Sequence, residues 1–175
     1  MFKVETYFKP AIQKQLINFS VMNRIRIAKD KADLVKALTA SEGKTGPFQT
    51  YADVMVFAAA LALKRKKRIP LTEISQREPG PISIEVFWSR GYESMIKLIA
   101  IADTKDTKIL SSTDEEIEES RIQIFEEYAN GGLEILRDEL RGAVDYSERL
   151  LLVLIAERYQ KSQPETEFDL TKFLG

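Results

Sequence analysis

Thr50-Tyr51-Ala52-Asp53-Val54-Met55-Val56-Phe57-Ala58-Ala59-Ala60-Leu61-Ala62-Leu63 decides the fold. Thr50 followed three residues later by Asp53 has the form of a capping box, where each side chain accepts the other's backbone N–H. A helix is therefore predicted to begin here. From Val54 to Leu63 it is apolar nearly all round, so it must be covered on every side and forms the centre of the core. Directly behind it stand five consecutive cations, Lys64-Arg65-Lys66-Lys67-Arg68, then Ile69-Pro70.

Upstream, Ser41 to Pro47 is a loop by composition. It contains Gly43-Lys44-Thr45, but a P-loop needs a glycine at position 38, which is Leu38, so nucleotide binding is rejected. Lys29 to Ala40 reads as a helix with Ala32, Leu34, Val35 and Leu38 on its buried side. Met22 to Ile27 alternates, which puts Arg24 and Arg26 on one face and Ile25 and Ile27 on the other. Phe8, Ile12, Leu16 and Phe19 make one stripe of an amphipathic helix, with Pro10 tolerated near its start.

Downstream, Pro70, Pro79, Gly80 and Pro81 mark an irregular connection. Ile82 to Trp88 suits either a short strand or the start of a helix. Tyr92 to Asp103 is helical in pattern. Thr113 is expected to cap a helix that runs through Asp114-Glu115-Glu116-Ile117-Glu118-Glu119 to Tyr128. Asn130-Gly131-Gly132 is expected to interrupt or turn it before Leu133 to Leu140 resumes, and Tyr146 to Tyr159 is the last helix. The fold class is mainly α: a compact multi-helix domain over 22–160 with one or two short strands, an N-terminal helical extension (1–21) and a polar tail (161–175).

Histidine and cysteine are both absent from the 175 residues. That removes Ser-His-Asp and Cys-His catalysis, disulfides and His- or Cys-liganded metals. An enzyme would have to work with carboxylates, Lys, Tyr or a carboxylate-bound cation, so a non-enzymatic protein without cofactor or metal is expected. No apolar run approaches the ~18 residues of a membrane span, and Leu150 to Ala156 reads as a buried helix centre. Without a signal-like apolar run near the N-terminus, and without cysteine, the expected location is cytoplasmic. Net charge is −1, yet residues 1–90 hold 16 Lys and Arg against 8 Asp and Glu, while residues 91–175 hold 10 against 19. A basic half (22–90) thus precedes an acidic half (91–160), which suggests a basic face for an anion.

Strand, helix, loop and helix over 22–63 follow the order of a ribbon-helix-helix unit, in which two chains pair their strands and lay the ribbon in the major groove. Arg24 and Arg26 would then face base edges or phosphates, the helix N-terminus at Thr50 would offer N–H groups to a phosphate, and the protein would be a homodimer. The bland alternative is an edge segment with two solvated arginines. Lys64, Arg65, Lys66, Lys67 and Arg68 either complement a helix dipole or grip phosphates, for which five together are better suited. Tyr51 and Trp88 could stack on bases or simply pack. The acidic run 114–119 suits a helix N-terminus, with a docking face for a basic protein, or a cover for the basic run, as the sharper alternatives. Gly131-Gly132 supplies either a positive φ or close backbone packing, with a ligand-touching loop as the functional alternative.

Two blocks, Gly46 to Leu61 with the basic run and Ile69-Pro70-Leu71, and Ile124 to Leu136, resemble the small proteins called dnd system-associated protein 4, encoded beside bacterial DNA phosphorothioation genes. The resemblance covers roughly residues 22–160 and carries no catalytic signature. It implies a cytoplasmic accessory in DNA sulfur modification or its linked restriction, with other phosphorothioation-system proteins as partners. Read with the charge pattern, it points to binding of duplex DNA, or of a DNA-bound complex, through the basic half. The alternatives are a protein–protein adaptor that uses its acidic half, and a carboxylate- and metal-dependent enzyme.

Overall fold

The capping box at Thr50 is closed: Thr50 Oγ1 accepts the Asp53 N–H at 3.3 Å and Asp53 Oδ2 accepts the Thr50 N–H at 2.9 Å. In the computed structural model, which describes residues 24–40, 46–111 and 113–159, this cap opens the second of the six helices among the described residues. The order is β1 (Arg24–Ile25), a 3-10 turn (Lys29–Lys31), α1 (Ala32–Leu38), α2 (Tyr51–Lys64), β2 (Ile82–Ser83), α3 (Ile84–Ser89), α4 (Glu93–Thr104), a second 3-10 turn (Thr107–Leu110), α5 (Glu115–Glu139) and α6 (Tyr146–Tyr159). The mainly α expectation holds. The chain forms two compact units, Met1–Asp138 and Glu139–Gly175. The N-terminal stripe from Phe8 to Phe19, the Gly43-Lys44-Thr45 loop and the polar tail lie outside the described residues.

In the first unit, α2 buries Ala52, Val54, Met55, Val56, Ala58, Ala59, Leu61 and Ala62, as an all-round apolar helix must. Across it runs α5, and here the sequence expectation is corrected: Asn130-Gly131-Gly132 does not break α5, which is helical without interruption for 25 residues. The glycines serve close approach. A Cβ built on Gly132 would stand 1.8 Å from the Ala58 carbonyl oxygen, and one on Gly131 would stand 2.0 Å from the Lys67 carbonyl oxygen. Each glycine costs the helix roughly 1 kcal/mol in propensity, offset by the backbone-to-backbone packing that it permits. A second correction concerns the α5 cap. It is Asp114, not Thr113, whose Oδ1 accepts the N–H groups of Glu116 (3.0 Å) and Ile117 (3.3 Å).

The end of α2 is a left-handed cap. Lys66 has φ 52°, its N–H bonds the Leu63 carbonyl at 3.2 Å, and the Lys67 N–H reaches back to the Ala62 carbonyl at 2.9 Å. This is a Schellman ending, with lysine where glycine is usual. The chain then lies along α5: the Ile69 N–H bonds the Glu127 carbonyl at 3.1 Å, and Asn130 Nδ2 donates to the carbonyls of Ile69 and Pro70.

The alternation is correct as to faces over its described part, Arg24 to Ile27, since Ile25 and Ile27 are fully buried and Arg24 is exposed; Met22 and Asn23 lie outside the described residues. Along one edge the strand's partner lies within the chain. β1 pairs antiparallel with β2 of the same chain, Arg24 opposite Ser83 and Ile25 opposite Ile82, so the ladder is satisfied internally along that edge. Beyond Ser83 the alternating segment turns helical, and Ile84 and Phe87, three apart, face inward. Phe87 meets Phe125 of α5 edge-on at 5.7 Å.

In the second unit, Asp145 caps α6 by accepting the N–H groups of Ser147 and Glu148. Leu150, Val153 and Glu157 are buried, whereas Leu151, Leu152, Leu154 and Ile155 are exposed. Leu150 to Ala156 is therefore not a helix centre buried on all sides. Only a stripe at spacings of three and four is covered.

Candidate nucleic-acid interface

Arg26 is held by a carboxylate of its own chain. Its Nε lies 3.0 and 2.9 Å from the two carboxylate oxygens of Glu126 and its Nη2 2.5 Å from Oε2, while its backbone N–H donates to Oε1 at 2.6 Å. The Glu126 side chain is 0% exposed, that of Arg26 39%. Burial pushes the Glu126 carboxyl up, and the arginine only partly offsets it. Arg68, last of the basic run, is also committed: Nε donates to Glu127 Oε2 at 2.6 Å and Nη1 to Asp103 Oδ2 at 2.5 Å. Gln123 holds the other Glu127 oxygen at 2.9 Å, and the Tyr128 hydroxyl donates to Asp103 Oδ1 at 2.8 Å. Lys31, its side chain 5% exposed, pairs with Glu134 at 2.7 Å.

These four pairs, made by three cations, each join the basic half to the acidic half. The charge asymmetry along the chain thus closes on itself as an internal seam. Its carboxylates are Asp103, Glu126, Glu127 and Glu134, not those of 114–119, of which Asp114, Glu115, Glu116 and Glu119 remain exposed at the start of α5, where the helix dipole favours them. The clue is legible: Glu126 and Glu127 stand within Ile124-Phe125 and Tyr128-Ala129, an apolar helical run where charges are rarely tolerated unpaired.

Thr50 is likewise occupied. Its partner Asp53 also takes Arg90 Nε and Nη2 at 2.8 and 3.0 Å and the Tyr92 hydroxyl at 2.7 Å, so a carboxylate of the chain itself fills the place expected for a phosphate. Burial works to raise the Asp53 pKa, but hydrogen bonds from Tyr92, Arg90 and Thr50 outweigh it and hold the carboxyl below its ordinary value. A depressed carboxyl stabilises the fold above its unfolded-state pKa, and that contribution is lost as pH falls through the folded value. Asp53→Asn should therefore cost about 2 kcal/mol at neutral pH and progressively less below about pH 4. Urea midpoints across that range check it, and a cost independent of pH would refute it.

Among the site candidates, Arg24, Lys66 and Lys67 have no carboxylate partner among the described residues; the Arg24 guanidinium reaches only the Pro81 carbonyl, at 3.4 Å. Lys64 is exposed and Arg65 half-buried in the turn that closes α2. Tyr51 is half-buried, and so is Trp88, which lines a small cleft with Glu93, Lys97 and Arg121. Among the described residues no three His, Cys, Asp or Glu stand together so as to hold a metal, and no helix is long and apolar enough to cross a membrane.

The sequence model of the DNA sulphur modification system-associated protein 4 family matches residues 24–173. The chain belongs to that family. No curated protein and no solved structure matches it. In this member of the DNA sulphur modification system-associated protein 4 family, the two distinctive blocks, 46–71 and 124–136, are the two that the Ala58–Gly132 contact and the Arg68–Glu127 pair clamp together.

Proposed function

We propose that this protein is a non-enzymatic accessory of a DNA sulfur-modification system that contacts the DNA backbone, alone or within a DNA-bound complex of that system's proteins. The contacts are the cations that the fold leaves unneutralised at the end of α2. One observation carries this most directly: Lys66 holds a left-handed backbone, φ 52°, where glycine would be free of the steric cost. A charged side chain held at such a place, beside Lys67 and with no carboxylate partner among the described residues, favours use of the charge over local stability.

Titration of a duplex with the parent chain and with a Lys66→Gln, Lys67→Gln double variant tests it. Binding should weaken for every DNA sequence, and the slope of log affinity against log salt should flatten by about 0.9 for each phosphate that is no longer neutralised. Unchanged affinity and slope would sink the proposal. The exposed carboxylates of Asp114, Glu115, Glu116 and Glu119 support the adaptor as a second reading. In that case the double variant still recruits its protein partner, and charge reversal in 114–119 abolishes recruitment.

A further inference from the structure

We infer that the anion-binding edge is built from two helix ends, with Lys105 and Lys108 of the acidic half joining Lys66 and Lys67, and that it follows the phosphate backbone of duplex DNA. This rests on the proposed DNA-contacting role and assigns its surface. The Arg68–Asp103 pair, 2.5 Å long, brings the C-terminal ends of α2 and α4 to the same edge of the first unit. Lys66 lies two residues before Arg68 and Lys105 two residues after Asp103, so each is within about 7 Å of chain from the bridge.

Both ends place a left-handed lysine where the helix stops. α4 closes with the Lys105 N–H on the Ile101 carbonyl at 3.0 Å and with Lys105 at φ 57°. Lys66 and Lys105 are the two non-glycine residues with positive φ among the described residues. A glycine or asparagine would end either helix with less steric strain; the chain has a lysine at both. Lys108 follows on the 3-10 turn that Asp106 caps, its backbone N–H bonded to Asp106 Oδ1 at 3.0 Å. Lys105 and Lys108 are exposed, and like Lys66 and Lys67 they have no carboxylate partner among the described residues. Asp103 and Glu127, at the bridge itself, are both taken by Arg68, and Asp106 accepts the Lys108 backbone N–H. Charge on this edge is therefore mainly positive, although half of it comes from the part of the chain whose sequence is acidic.

The test is a titration of a short fluorescent duplex at several salt concentrations with the full chain and three variants. A Lys105→Gln, Lys108→Gln pair should weaken binding and lower the salt slope by about 0.9 for each phosphate left without its cation, as the Lys66→Gln, Lys67→Gln pair does. Lys66→Gly with Lys105→Gly removes two charges while relieving both left-handed residues, so this variant should melt at or above the parent and still bind more weakly. Parental affinity and slope in the Lys105, Lys108 pair, with binding abolished in the Lys66, Lys67 pair, would overturn the two-ended edge and leave the DNA-contacting role standing. Parental binding by the double glycine variant would overturn the edge as well. Failure of the parent chain to bind any duplex at low salt would overturn both.

Discussion

Replacing Gly132 by alanine is expected to destabilise the first unit by at least about 3 kcal/mol, beyond the usual range for an added methyl in a packed core. The new Cβ would meet the Ala58 oxygen at 1.8 Å, its carbonyl carbon at 2.3 Å and its Cα at 2.7 Å. All three are backbone atoms of α2, so no rotamer change relieves the clash and the helices must separate. Gly131→Ala should cost less, about 1–2 kcal/mol, because the atom it meets first belongs to Lys67, just past the end of α2. Urea unfolding ranks the two, and a parental midpoint for Gly132→Ala would show that the helices are not in backbone contact. Neither glycine needs a positive φ, so the cost comes from packing.

The second large effect is expected for Arg26→Ala. It leaves Glu126, 0% exposed, without its cation. Breaking a buried pair from one side costs about 3–5 kcal/mol, and the partial exposure of Arg26, which lets solvent screen the pair, puts the value near the lower end, about 3 kcal/mol. Burial holds the Glu126 pKa above its unfolded value. For a carboxyl raised in this way, the favourable contribution is full below the unfolded pKa and fades as pH rises through the folded one. The Arg26→Ala penalty should therefore shrink from pH 8 to about pH 5, as the orphaned carboxyl takes up a proton. An equal penalty at both values would refute an electrostatic origin.

These two sites mark what periodicity can and cannot reveal. The α2 cap, the inward faces of Ile25 and Ile27, and helices α4 and α6 are all legible, because each depends on residues within a few positions of one another. The mid-helix place of Gly131-Gly132 is not. A glycine pair signals a turn when seen alone, and its justification, the α2 backbone at Ala58 that Gly132 lies against, is some seventy residues away. Arg26 is legible as to its face but not its partner: spacing places a guanidinium on the outer side of a strand, and cannot say that a buried carboxylate 100 residues on will reach it there. For the same reason the basic run reads as one feature in the sequence. The fold divides it, assigning Arg68 to the seam and leaving Lys66 and Lys67 outside it.

The seam also sets a timetable for the newborn chain. A ribosome delivers the basic half and the apolar α2 before any of α5 exists. Between Ala58 and Gly132 lie about seventy residues, which take roughly 4–15 s to synthesise at 5–20 residues per second. Throughout that interval α2 has no glycine face to lie against, and Arg26, Lys31 and Arg68 await Glu126, Glu134 and Glu127. A polypeptide released early, before α5, would be cationic and sticky, poorly able to condense and prone to cling to nucleic acid without discrimination. Emergence of α5 supplies the missing surface and the counter-charges in one stroke, so maturation of the first unit is a late, single event governed by its last long helix.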